Sequence, residues 1–148
     1  MQSFKVDQID HVELFVPERY TAARWYEQTL GLRILHERED WAGPGGPLMI
    51  SSDGGGTMLA LFEGEPRRNR ATAGHHRVAF RVTAAGFLQF LTHVREVPVY
   101  SDFGEPVHQL SPVDHGKAFS VYFCDPYGNR FEVTSYEYLE VEKGLASV

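Results

Sequence analysis

The chain has 148 residues, of which 43% are hydrophobic and 23% charged; 14 Lys and Arg stand against 20 Asp and Glu, for a net charge of −6. That is the length of one domain with enough apolar content for a core, and its acidity argues against nucleic acid or anionic membrane, whose electrostatics need basic patches. A single cysteine, Cys124, excludes an intrachain disulfide and a cysteine-cluster metal site. Residues 1–7 lack the basic-then-apolar pattern of a secretory signal, and no apolar run approaches the roughly 18 residues of a membrane helix, so a cytoplasmic protein is expected.

Segment 9–16 alternates, with Val12, Leu14 and Val16 on one face and Ile9, His11, Glu13 and Phe15 on the other. Period two with β-branched residues predicts a strand. Pro17 and Glu18 open a helix with an apolar stripe at Ala22, Ala23, Tyr26 and Leu30, and Gly31 stops it. Residues 32–39 read as a second strand, 48–51 as a third between two glycine-rich turns, and 57–63 as a fourth. The order then starts again. Residues 75–82 alternate, 84–95 carry Phe87, Leu88, Leu91 and Val94 at helical spacing, and strands are expected at 97–101, 119–124 and 130–135. The turn Asp125-Pro126-Tyr127-Gly128-Asn129 joins the last two.

This recurrence is an internal repeat: Asp10-His11-Val12 aligns with His76-Arg77-Val78, and residues 56–61 align with 128–133, pairing Ala60 with Glu132. The expected architecture is α+β, a single domain over 1–148 made of two βαβββ repeats. The repeats cover about 8–65 and 74–136, and their curved mixed sheet surrounds a central cavity. With the apolar strand faces turned to the helices, alternation places His11, Ala60, Arg77 and Glu132 on the cavity floor. Residues 137–148 form a C-terminal arm that either packs on a neighbour or frays, and 67–70 link the repeats.

Four stretches resemble the vicinal oxygen chelate superfamily, which includes glyoxalase I, bleomycin- and fosfomycin-resistance proteins and extradiol dioxygenases. They are Ile9-Asp10-His11-Val12, Trp25-Tyr26-Glu27-Gln28-Thr29-Leu30-Gly31-Leu32, Val78-Ala79-Phe80-Arg81-Val82 and the run from Val121 to Glu132. The resemblance covers residues 8–135 in order. It implies a divalent metal, Fe2+ or Mn2+ by ligand type, with His11 as first ligand and Glu132 as last. The family's second imidazole falls on Arg77; His75 shares that residue's strand face by parity and joins His11 and Glu132 as the candidate metal set, with His76 the alternative if a bulge re-phases the strand, or no second imidazole at all. A further glyoxalase carboxylate falls on Ala60, which cannot coordinate; glyoxalase I itself is not expected.

The spacing of His115, Val121-Tyr122, Asp125-Pro126, Gly128 and Glu132 is similar to the extradiol dioxygenase signature. That resemblance implies His115 as an acid–base group beside the metal and makes His115 and Tyr122 the candidate catalytic residues. Imidazole suits the role because its ordinary pKa is about 6.5. Arg77, Glu13 and Phe103 are candidate substrate contacts.

Two functions follow. One is a metal-dependent, dioxygenase-like oxidoreductase or lyase acting on a small oxygenated or aromatic substrate. The other is a metal-free, bleomycin-resistance-like binding protein, in which Arg77 and Glu132 pair on the cavity floor and aromatics such as Trp25, Trp41, Phe103 and Tyr122 hold a flat or cationic ligand. Glu132, a carboxylate on a buried strand, needs either the metal or Arg77 as partner. His36, His93 and His108 read as surface residues, and Cys124 as a small hydrophobe. A homodimer is expected under both functions, because exposed sheet edges favour pairing.

Overall fold

Val12–Val16 (β1) runs parallel to Met58–Glu63 (β4), with Val12 opposite Leu59, Glu13 opposite Ala60 and Leu14 opposite Leu61. A computed structural model shows this for residues 3–66 and 74–147, the described part of the chain. The 67–70 linker lies outside it. The chain forms two compact units, Met1–Arg68 and Asn69–Val148.

In the first unit the sheet order is β1-β4-β3-β2, with β2 at Arg33–Ile34 and β3 at Leu48–Ser51. Helix α1, Arg19–Leu30, packs on β3 and β4 and buries Ala22, Ala23 and Tyr26; Leu14, Val16, Leu59 and Leu61 are likewise buried. Glu18 caps α1 by accepting from the Tyr20 and Thr21 amides, and left-handed Gly31 closes it. The opposite sheet face carries a second apolar cluster of Leu35, Met49, Met58 and Ala60, with Phe62 against it.

The second unit repeats the plan. Val78–Arg81 (β5) runs parallel to Arg130–Ser135 (β10), which pairs antiparallel with Phe119–Cys124 (β9). Val78 lies opposite Phe131 and Ala79 opposite Glu132. These pairs coincide with Val12–Leu59 and Glu13–Ala60 under the sequence repeat, so the repeat is one of backbone register as well as composition. Helix α2, Ala84–His93, packs on β10, and Phe87, Phe131 and Val133 are buried. Short strands β6 (Val99–Tyr100), β7 (Pro106–Val107) and β8 (Val113–Asp114) extend the sheet beyond β9.

Several elements depart from expectation. The second strand is two residues long, and His36–Trp41 winds into a 3-10 helix. Its run of His, Glu, Arg and Asp has no place in a sheet interior; instead Glu39 accepts from Tyr20 at 2.7 Å and bonds His36 at 2.6 Å. Strands β7 and β8 were not anticipated. Strand β5 starts at Val78, so His75, His76 and Arg77 precede it. The C-terminal arm is a helix, α3 at Tyr138–Ala146, packed on α2 of its own unit. Its Gly144 allows the approach, because a Cβ there would collide with Leu88. Among the described residues, no helix is long and apolar enough to cross a membrane.

The Thr83 hydroxyl caps α2 by accepting from the Gly86 amide at 3.1 Å. Thr83→Ala leaves that amide without its partner and is expected to cost about 1 kcal/mol, read as a lower urea midpoint with an unchanged slope.

Candidate functional site

On β9 and β10 the polar residues alternate with the apolar ones packed toward α2. Register sets Tyr122 opposite Glu132 and Ser120 opposite Thr134, so these four share one face, together with Ala79 of β5. Arg77, one residue before β5, lays its guanidinium over the Tyr122 ring, 4.6 Å from the centroid. The Tyr122 hydroxyl is 2.8 Å from His115 Nε2. The His115 backbone amide donates to the Ala118 carbonyl in the β8–β9 hairpin, which holds the imidazole at the strand edge. A guanidinium, a phenol and an imidazole thus form one contiguous array.

The array leaves Glu132 to a neutral partner. Ser120 Oγ donates to Glu132 Oε2 at 2.7 Å and lies 2.9 Å from Thr134 Oγ1. Among the described residues Arg77 makes no ion pair with Glu132, so the expected Arg77–Glu132 pair does not form. Arg77 Nε is buried without a hydrogen-bond partner among the described residues. Such a donor carries a desolvation cost that an incoming acceptor would relieve. Ser120 and Thr134 were not anticipated, although both stand as polar residues at period two with Tyr122 and Glu132 on otherwise apolar strands.

In the first unit His11 stands just before β1. Its Nδ1 is 2.8 Å from Asp10 and its Nε2 is 3.1 Å from Glu13. The hydrogen bond with Asp10 raises the His11 pKa above 6.5 and outweighs a burial penalty in the other direction; Glu13 adds to the rise. Glu13 shares its sheet face with Ala60, whose methyl stands where the second unit has Glu132.

The remaining candidates scatter. His75 is exposed ahead of β5. His76 lies 3.1 Å from Arg130 Nη1, whose Nε donates to Asp102. Phe103 is 91% exposed and Trp41 is 52% exposed, with Arg38 over its ring. Trp25 is half-buried, edge-on to Tyr26. The Cys124 thiol is pushed up to about 11 by burial and by its hydrogen bond to Asp102, so it stays protonated and behaves as a small hydrophobe.

Within either unit, among the described residues, these side chains do not make a three-ligand metal centre. A guanidinium is permanently charged and offers no lone pair, so Arg77 cannot take the second ligand's role, and its charge opposes a cation nearby. Within neither unit, among the described residues, do three His, Cys, Asp or Glu side chains gather to hold a metal.

The chain matches the glyoxalase/bleomycin resistance protein/dioxygenase superfamily over residues 8–133 and belongs to that family. It is 25% identical over 131 residues to the virulence protein STM3117 of Salmonella typhimurium, covering 88% of this chain and 85% of that protein. The crystal structure of STM3117 superposes with a TM-score of 0.60 at 23% identity, over 90% of this chain and 99% of that one. The fosfomycin resistance protein FosX from Listeria monocytogenes, solved with Mn(II) and 1S,2S-dihydroxypropylphosphonic acid, superposes with a TM-score of 0.64 at 15% identity, over 94% and 99% of the two chains. The structural likenesses show a shared fold.

Because the folded state favours protonated His11, its contribution to stability is fully present below pH 6.5 and is lost as pH rises through the folded pKa. Ring NMR is expected to show a midpoint above 6.5 in the wild type, falling in Asp10→Asn. A wild-type midpoint at or below 6.5 would contradict the assignment.

Proposed function

We propose that this chain is an enzyme of the superfamily acting on a small oxygenated anion, with Arg77 holding the anion and Tyr122 and His115 moving a proton. One observation carries the reading: Arg77, which the family resemblance sets at a metal-ligand position, stacks on Tyr122, whose hydroxyl is bonded to His115. The buried, unpartnered Arg77 Nε adds a donor suited to a carboxylate or phosphonate oxygen. FosX, of the same fold, was solved with a phosphonic acid that carries two vicinal hydroxyls.

The chemistry follows from the side chains. Arg77 supplies a fixed positive charge without competing for the proton. Tyr122 gives its hydroxyl proton to a substrate oxygen or carbanion as His115 passes a proton to Tyr122; the reverse sequence abstracts one. Glu132, held by Ser120, is placed on the same strand face as Tyr122 to accept a substrate hydroxyl. Isomerisation, elimination or addition of water are reactions of this kind. The site residues in this proposal are His115 and Tyr122 for proton transfer and Arg77 and Glu132 for substrate.

A second reading is an extradiol-like dioxygenase with Fe2+ or Mn2+ on His11, Glu132 and His75. It is favoured by the His115–Tyr122 hydrogen bond, which joins the two residues of that signature. Arg77 and exposed His75 weigh against it. Under either reading a homodimer is part of the proposal: among the described residues β1 ends the order of its sheet, and sheet edges favour pairing.

The test is the binding of phenylphosphonate followed by calorimetry. Wild type is expected to bind, Arg77→Leu to lose about ten-fold or more in affinity, and Tyr122→Phe to keep most of it. Equal affinity in wild type and Arg77→Leu would overturn the role of Arg77.

A further inference from the structure

We infer that Tyr138, at the start of the C-terminal helix, is a positioning residue for His115. It fixes the Asp114 carboxylate, which holds the backbone on both sides of the imidazole, and so sets how His115 meets the Tyr122 hydroxyl. The inference rests on the proton-transfer reading of His115 and Tyr122, and it gives α3, which that reading leaves idle, a part in the site.

His115 needs outside support. It is exposed, and it follows a strand, β8, of two exposed residues that pair with β9 as Val113–Ser120 and Asp114–Phe119. The His115 amide adds one turn bond, to the Ala118 carbonyl at 2.9 Å. A ladder this short is marginal by itself, yet the imidazole keeps a 2.8 Å contact with Tyr122.

Asp114 supplies the hold. Its Oδ1 accepts from the Gly116 amide at 2.8 Å and its Oδ2 accepts from the Tyr138 hydroxyl at 2.8 Å. One carboxylate thus ties the residues before and after His115, and Tyr138 ties the carboxylate. The Tyr138 ring also stacks on Phe119, with centroids 4.8 Å apart and planes at 16°, and Phe119 is the buried partner of Asp114 across the hairpin. The Gly116 amide and then the Tyr138 hydroxyl hold the Asp114 carboxyl below its ordinary value, while the bond to Asp114 pushes Tyr138 up to about 12. Around neutral pH the donor therefore keeps its proton and the acceptor its charge.

A tyrosine on a free arm could position nothing, and α3 is not free. Glu137 Oε1 accepts from the Ala84 amide at the start of α2 at 2.7 Å, Val141 is fully buried, and Gly144 lies against Leu88. Helix α2 packs in turn on β10, the strand that carries Glu132. Tyr138 thereby refers the hairpin to the same framework as the rest of the array.

The test follows the His115 ring nitrogens by long-range proton–nitrogen NMR on the full chain, at a pH where the imidazole is neutral, with His115→Gln identifying the resonances. Tyr122→Phe is expected to displace the Nε2 resonance and so to mark the value of a lost hydrogen bond. Tyr138→Phe keeps the ring on Phe119 and removes only the hydroxyl; it is expected to move Nε2 at least about halfway to that value. Tyr136→Phe, the same change two positions earlier, is expected to leave Nε2 in place. Asp114→Ala combined with Tyr138→Phe is expected to move it no further than Asp114→Ala alone, because both act through one carboxylate. An Nε2 resonance indifferent to Tyr138→Phe or to Tyr122→Phe, an equal displacement by Tyr136→Phe, or full additivity in the double variant would each overturn the positioning role. No substrate enters these measurements, so a failure of phenylphosphonate to bind would count against the anion reading alone.

Discussion

A guanidinium resting on a phenol ring organises the polar sheet face of the second unit. Arg77 sits 4.6 Å from the Tyr122 ring centroid, a cation–π contact worth about 0.5–2 kcal/mol depending on how dry the site is. More depends on the contact than that energy. With its charge held over Tyr122, Arg77 is not available to Glu132, and Glu132 settles on the Ser120 hydroxyl instead. Tyr122, capped on one face by a cation, turns its hydroxyl to His115. A guanidinium, a hydrogen-bonded phenol and imidazole, and a carboxylate held by Ser120 are thereby kept apart on one side of the sheet.

The two halves share a backbone and differ in what they place on it. Identical parallel pairings bring Glu13 beside Ala60 in the first unit and Ala79 beside Glu132 in the second. His11 and Arg77 occupy corresponding positions just before those strands. The first half therefore offers an imidazole with carboxylates on either side, and the second a guanidinium near a carboxylate. Neither half alone assembles the donor set of a metal centre. Membership of the superfamily does not supply what the side chains lack, because one fold hosts many chemistries.

Much of this was legible in the residues. Alternation located β1 to within a few positions, glycine-rich turns bracketed β3, and the 125–129 turn separated β9 from β10. The repeat offset, read from short motifs, reproduces the observed register of both parallel pairs. Residues 36–39 of the expected 32–39 strand are helical instead, because Leu32 and Ile34 lead a β pattern into polar residues that a solvated turn of helix carries. β7 and β8 escaped notice, as two-residue strands have no period to detect. In the C-terminal arm, Tyr138–Ala146 is a helix that buries Val141 and packs on α2, a tertiary contact absent from local pattern.

At the site, the resemblance to the extradiol signature singled out His115 and Tyr122, but neither their hydrogen bond nor the partner of Arg77 was legible. Both Tyr122 and Glu132 lie on the face Arg77 reaches, and they stand directly opposite one another, so parity alone leaves the choice open. Side-chain packing decided it in favour of the ring. His75 was assigned to the same face on the assumption that the strand began at that residue; with β5 starting at Val78, that parity has no meaning.

The proposal that Arg77 stands in place of a metal ligand has a direct consequence for metal affinity. It is tested most directly by titrating Mn(II) into the wild type and into Arg77→His, with binding followed by the loss of free Mn(II) electron spin resonance. The account predicts no stoichiometric binding by the wild type and an affinity at least about ten-fold tighter in Arg77→His, where an imidazole restores a donor. Stoichiometric Mn(II) binding by the wild type that disappears in His11→Ala would contradict it.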